Sequence, residues 1–178
     1  MSTRQAAPRD PGPFALTPIG WVSSAYQRRF GTPQQASAVD SDSAAVLMLD
    51  PALIPPEALA DLQGMERIWV LSFLHRGGGW SPQVFPPRGT RQRRGLFSTR
   101  SPDRPNPIGL SAVKLVRVEG CDLHVRGIDL IDGTPILDIK PYVPYADAFP
   151  GAQAGWIDSI PLDAPQWARR VPDSEEGS

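Results

Sequence analysis

Hydrophobic residues fall in short runs bounded by proline, glycine and small polar residues, and most of these runs read as strands. "PIGWVSSA" (18–25) and "AVLMLD" (45–50) give the first two, separated by the loop "FGTPQQASAVDSDSA". "PPEALADL" (55–62) opens on prolines, which a first helical turn tolerates, and continues with helix formers, so one short helix is predicted there. "RIWVLSFLH" (67–75) is an almost unbroken apolar run with β-branched and aromatic members. It is too short for an independent helix and predicts a strand buried on both faces. "GGGWSPQVFPPRGT" (77–90) predicts loop.

A hairpin is the clearest local feature. "LSAVKLVRV" and "DLHVRGIDL" flank Glu119-Gly120-Cys121, a short link whose glycine can take a positive φ. Alternation slips at Leu115-Val116 and again at Gly127, which predicts a β-bulge near one of them. "TPILDIKPYV" (134–143) alternates again, with Ile136, Asp138, Lys140 and Tyr142 expected on one face and Leu137 and Ile139 on the other. Six or seven strands with one or two short helices predict a mainly β fold, a small single-domain barrel or strongly curved sheet.

Composition narrows the class without changing that picture. The 178 residues suit one domain, and 21 prolines with 16 glycines are punctuation rather than low complexity. The domain is expected over residues 17–160, with a tail over 1–16 and an irregular extension over 161–178. Cys121 is alone, which excludes an intramolecular disulfide and a cysteine zinc cluster and fits a reducing cytoplasm. The N-terminal stretch has no apolar signal region, and no run approaches the length of a membrane span. Neither the dinucleotide glycine fingerprint nor a P-loop occurs, and His75 and His124 lack metal-ligand spacing, so no metal site is predicted.

The net charge of −1 hides an uneven distribution. Between positions 88 and 104 stand six arginines, Arg88, Arg91, Arg93, Arg94, Arg100 and Arg104, against the single acid Asp103. Pro102, Pro105 and Pro107 stiffen the same region, holding Ser101, Arg104 and Asn106 extended. The stretch reads either as a preorganised recognition loop for an anionic or heteroaromatic ligand or as a stiff surface connection with solvated arginines. Further on, Asp129, Asp132, Asp138 and Lys140 gather around the Asp132-Gly133 turn.

Three stretches, "PIGWVSSA…FGTPQQA", "FSTRSPDRPNPIGLS" and "DLIDGTPILDIKPYVPYAD", resemble the TrmO/YaeB family, also called the TsaA-like domain, over residues 17 to 157. The resemblance implies an S-adenosylmethionine-dependent tRNA methyltransferase built on a β-barrel. It implies a homodimer with the cofactor close to the subunit interface. The implied reaction is N6-methylation of threonylcarbamoyladenosine, next to the anticodon of threonine tRNA. Matching the motifs residue by residue, the cofactor pocket would draw on Pro33, Gln34, Gln35, His75, Arg76, Arg100, Leu110, Leu130, Ile131, Asp132 and Gly133. The chain departs from the family at Gln34, where arginine is usual, and at Arg67, where histidine is usual. Larger bacterial members continue into a C-terminal domain that helps grip tRNA, and about twenty residues follow Trp156 here.

The chemistry agrees with that implication. A sulfonium needs carboxylate or carbonyl oxygens and an amino-acid carboxylate needs cations, which Asp132 and Arg100 would supply. Methyl transfer is an in-line displacement in which positioning alone contributes on the order of 7–11 kcal/mol. Asp138 and Tyr142 are the candidates for removing the N6 proton. Arg88, Arg91, Arg93 and Arg94 suit the phosphates of an anticodon stem-loop, and Arg104, Asn106 and Lys140 complete the candidate RNA-contacting set. Trp80 in its glycine-rich loop is a candidate for stacking on a base. Two other readings stand beside this one: methylation of another RNA or a small molecule, and a non-catalytic module that binds S-adenosylmethionine or RNA.

Overall fold

In the computed structural model, which describes residues 15–28 and 43–161, six strands close into an antiparallel barrel in the order β1-β2-β7-β6-β3-β8. They are β1 Gly20–Ser24, β2 Ala44–Leu49, β3 Arg67–Phe73, β6 Ile108–Glu119, β7 Asp122–Arg126 and β8 Pro135–Pro141. A separate two-stranded ribbon pairs β4 Gln83–Val84 with β5 Arg94–Gly95. The single α-helix among the described residues, α1 Pro144–Asp147, is one turn long.

The alternation read from the sequence fixes what faces inward. Val22, Leu47, Leu49, Ile68, Val70, Val113, Leu123, Val125 and Ile136 fill the barrel, and Ile128 and Leu130 from the β7–β8 connection join them. A one-residue slip in any strand would turn its apolar set to water, so this interior also fixes the register. The predicted bulge lies between Leu115 and Arg117, leaving Val116 without a cross-strand partner and exposed. The hairpin turns at Gly120-Cys121, with Gly120 at φ 60°.

Several expectations are corrected. Residues 55–62 form no α-helix but part of two short 3-10 turns, Pro56–Leu59 and Leu62–Gly64, because Asp61 takes φ 63° and breaks the run between them. β3 is buried on one face only. Trp69, Leu71 and Phe73 point outward, and Phe73 is 42% exposed. The stretch expected to be all loop contributes β4. On β8 a register shift pairs Leu71 with Asp138 but Ser72 with Ile136, so Ile136 is buried in the core while Asp138 and Lys140 lie on the outer wall. The extra residue, Leu137, undoes the simple alternation expected there. The expected tails, 1–16 and 161–178, lie almost wholly outside the described residues. No helix among the described residues is long and apolar enough to cross a membrane.

Because every neighbour in the barrel is antiparallel, β1, β3 and β7 run toward one rim and β2, β6 and β8 start from it. The connections 74–107 and 127–134 therefore sit at that rim, where β1 also ends and β2 begins. Connections 50–66 and 120–121 sit at the other. After β8 the chain returns along the wall. Trp69 Nε1 donates to Asp147 Oδ2 at 3.0 Å, and Trp156 Nε1 donates to the Ser98 carbonyl at 3.0 Å, tying residues 144–161 to β3 and the ribbon lobe.

Candidate functional site

Two of the three sequence motifs run through the connections 74–107 and 127–134 at this upper rim, and the described part of the first motif runs along β1 to it. The Asp132-Gly133 corner is held by backbone complementarity: Asp132 N–H donates to the Tyr26 carbonyl (2.8 Å) and Gly133 N–H to the Val22 carbonyl (2.8 Å). Gly133 needs φ 71° to make this turn, a conformation natural to glycine. Asp132 Oδ1 accepts from the Ser24 N–H at 3.0 Å, and Oδ2 has no hydrogen-bond partner among the described residues. The corner is thus locked to the end of β1 with one carboxylate oxygen left over.

The second connection joins the first through Arg76, whose Nη1 donates to the Gln27 carbonyl at 2.9 Å while its Nε faces His75 Nε2 at 3.3 Å. It then folds back on its own proline-braced half. Leu74 N–H donates to the Pro107 carbonyl (2.7 Å), and Gly78 N–H to Asp103 Oδ1 (2.9 Å). Hydrogen bonds and short stretches of chain thus link Asp132 through Ser24, Gln27, Arg76 and Gly78 to Asp103. The proline-braced cationic segment and the acidic glycine corner both belong to connections at the same rim.

The remaining candidates divide by location. His75, Arg76 and Arg100 are exposed at the rim. Leu130 is 4% exposed and packs into the core, so only its backbone is available to a ligand, and its carbonyl already accepts from Ser24 Oγ. Ile131 is half-buried. Pro33, Gln34 and Gln35 lie outside the described residues; the strands that flank them, β1 and β2, end and begin at this rim. Leu110 faces outward on β6, directly across from Leu71, which is itself across from Asp138 on β8. Leu110 and Asp138 thus flank β3 on the outer wall, roughly 10 Å apart by strand spacing. Asp138 is paired with Lys140 at 2.7 Å, and one level down Trp69 packs against Tyr142 with ring centroids 5.4 Å apart.

The arginines are not equivalent. Arg93 lies over the Phe85 ring at 5.3 Å, Arg94 over Trp156 at 4.9 Å and Arg104 over Phe97 at 5.3 Å. Arg88, Arg91 and Asn106 are exposed. Sequence reasoning missed Phe85 and Phe97, because the pairing with arginine depends on how the ribbon folds and leaves no periodic trace. It also missed a polar pair at the barrel mouth, where buried Ser111 Oγ donates to Asp129 Oδ1. Ser72 Oγ, buried nearby on β3, has no hydrogen-bond partner among the described residues. A shallow concavity of about 500 Å³ lies on the other wall, over β1, β2, β7 and β6, where His124 faces Glu119 (3.3 Å) and Arg117 (3.1 Å). Ser23, Ser24 and Ala25 at the end of β1 line it, so it reaches the rim beside the Asp132 corner, but none of the arginines of the 74–107 connection lines it. Arg67 sits at the lower end of β3, so that departure from the family pattern falls away from the rim.

The tRNA-methyltransferase O N-terminal domain model matches residues 21–148, the barrel and its rim. The chain belongs to this family. The tRNA (adenine(37)-N6)-methyltransferase of Escherichia coli K12 is 39% identical to it over 155 residues, covering 83% of this chain and 66% of that protein. A probable S-adenosyl-L-methionine-binding protein of Pyrococcus abyssi is 37% identical over 141 residues, covering 79% of this chain and 74% of that protein. The crystal structure of TrmO from Pseudomonas aeruginosa superposes with a TM-score of 0.70 at 37% identity, covering 84% of this chain and 65% of that one. The TrmO-family barrel described here thus spans just under two thirds of the length of these bacterial TrmO relatives.

Proposed function

We propose that this chain is an S-adenosylmethionine-dependent tRNA methyltransferase that acts on N6 of the adenine next to the anticodon, in threonylcarbamoyladenosine of threonine tRNA. The observation that carries this reading is that two sequence-distant motifs, the proline-braced segment and the Asp132-Gly133 corner, belong to connections at one barrel rim. The residues present fit the cofactor's chemistry. Arg76, Arg100 and His75 offer donors for its carboxylate, Asp132 Oδ2 and rim carbonyls offer acceptors for its cationic half, and Leu110 offers an apolar surface. When bound, S-adenosylmethionine supplies an electrophilic methyl group on a sulfonium centre.

The protein's own share of the work is placement. Backbone hydrogen bonds fix Asp132, and prolines fix the Arg100–Arg104 segment, so these groups lose little freedom on binding. Asp138, on the outer wall beside Lys140, and Tyr142, beyond the lower end of β8, are the candidates for taking the N6 proton. Phe73, Ile108 and Leu110, exposed by 42%, 46% and 57%, form an apolar strip across β3 and β6 beside the rim. This strip supports a homodimer in which the cofactor lies near the interface.

Calorimetry with S-adenosylmethionine, followed by mass spectrometry of nucleosides from threonine tRNA incubated with the protein, tests the reading. The expected result is cofactor binding and a methyl added to threonylcarbamoyladenosine. Binding without that product would point to another acceptor or a non-catalytic binding module. Absence of cofactor binding would overturn the assignment.

A further inference from the structure

The ribbon lobe carries a surface that cofactor binding does not account for. Phe97 is 78% exposed, Trp80 53% and Phe85 52%, an unusual concentration of solvent-facing rings on one small lobe. Two of these rings are each covered on one side by a guanidinium, Phe97 by Arg104 and Phe85 by Arg93. An apolar contact for another protein would not require the cations. A phosphate-binding surface would not require the rings.

Resting on the reading above, we propose that this lobe is a base-stacking platform for unpaired RNA, with Phe97 and Phe85 as its stacking faces and Arg104 and Arg93 as their cationic backing. Every nucleobase has a π-face, and aromatic rings backed by arginine hold single strands without reading sequence. Duplex bases are already stacked and closed to such a surface, whereas loop bases are open to it. The local excess of positive charge over residues 88–104 complements the phosphates between those bases.

The platform is rigid before any ligand arrives. Leu96, 2% exposed, anchors the turn that carries Phe97, and its N–H donates to the Pro82 carbonyl at 2.9 Å. Arg104 Nη1 donates to the carbonyls of Thr99 (3.0 Å) and Ser101 (3.4 Å), which pins its guanidinium where it meets the ring. Trp156 braces the lobe from below through Ser98 and Arg94. Phe97 and Arg104 also bracket Arg100 in the same proline-braced segment, which places the platform beside the candidate cofactor rim.

Fluorescence anisotropy with a short single-stranded RNA and a duplex RNA of equal length tests this, using Phe97→Ala, Phe97→Leu, Phe97→Trp and Phe85→Ala. Phe97→Ala and Phe97→Leu are expected to weaken single-strand binding by roughly five- to 150-fold, the span of a single base stack, with duplex binding unchanged and Phe97→Trp restoring affinity. Phe85→Ala is expected to act in the same direction. Unchanged single-strand affinity, equal losses on both RNAs, or full affinity in Phe97→Leu would overturn the platform. So would a Phe97→Ala protein whose only change is a shift from dimer to monomer in sedimentation. If the wild type shows the ring dependence but transfers no methyl group to tRNA, the platform stands and the proposed reaction fails. If it methylates tRNA while all ring variants bind RNA normally, the reaction stands and the platform fails.

Discussion

At the scale of single residues, two positions separate fold from chemistry. Asp132 serves the fold through Oδ1, which accepts from Ser24, and is available to a ligand through Oδ2. Asp132→Asn keeps an acceptor for Ser24 but removes the charge. Its unfolding midpoint in urea is expected to stay near wild type while S-adenosylmethionine affinity falls roughly ten- to a hundredfold, the range for a hydrogen bond to a charged group. Asp132→Ala should lose both, with about 1 kcal/mol of stability. Wild-type affinity in the asparagine variant, measured by calorimetry, would remove the carboxylate from the cofactor site. Gly20 is purely structural. A Cβ there would overlap the Met48 carbonyl and lie 2.8 Å from Leu49 Cα, both backbone atoms that cannot step aside. Gly20→Ala is expected to cost on the order of 1–3 kcal/mol in chemical denaturation. Gly64→Ala, where a Cβ meets nothing within 4 Å, should change stability by less than about 0.5 kcal/mol.

At the scale of elements, α1 is too short to stand by itself, and Asp147 supplies what its one turn lacks. The Val143 N–H donates to Asp147 Oδ2 at 2.8 Å, and Trp69 Nε1 donates to the same oxygen. The backbone bond first, and the indole bond second, hold the Asp147 carboxyl below its ordinary value. A depressed carboxylate pKa contributes stability that is complete above the unfolded-state value of about 3.9 and is lost as pH falls through the folded-state value. Thermal melts of wild type and Asp147→Asn should therefore differ at pH 5 to 7 and converge as pH is lowered below 4. A constant gap across that range would show that the charge is not what joins α1 to β3. Legibility in the sequence follows the same physics. Strands such as β2 and β7 are readable because a half-buried strand must alternate, and the β6–β7 turn because glycine marks it. β4 and β5, two residues each, are too short to carry a period. The outward Trp69, Leu71 and Phe73 read as a second buried face because sequence registers apolarity and not what covers it. The faces of β8 are misread because the bulge at Leu137 arises from pairing with β3, a tertiary event. Site residues at the rim are legible as motifs, but that Arg76 bridges to Gln27 depends on barrel closure.

At the scale of the whole molecule, closure places the cationic lobe beside the rim, and its arginines fall into two physical groups. Arg93 and Arg94 lie over aromatic rings, whereas Arg88 and Arg91 are exposed and make no ring contact among the described residues. Solvated guanidinium groups bind phosphates by displacing counterions, and that contribution weakens as salt rises. A ring-backed guanidinium also contributes stacking, which salt does not screen. Replacing Arg88 and Arg91 together with alanine is expected to lower the slope of log affinity against log salt by roughly 0.7 for each single-strand phosphate that is left without its cation, so the deficit shrinks at high salt. Replacing Arg93 and Arg94 together should leave a deficit that persists at high salt. Neither pair should alter calorimetric binding of S-adenosylmethionine, since both lie outside the Asp132–Arg76–Arg100 set. Superimposable salt titrations for the two double variants would mean that ring contact does not divide the lobe's arginines by function, and that the lobe acts on RNA as a uniform field of charge.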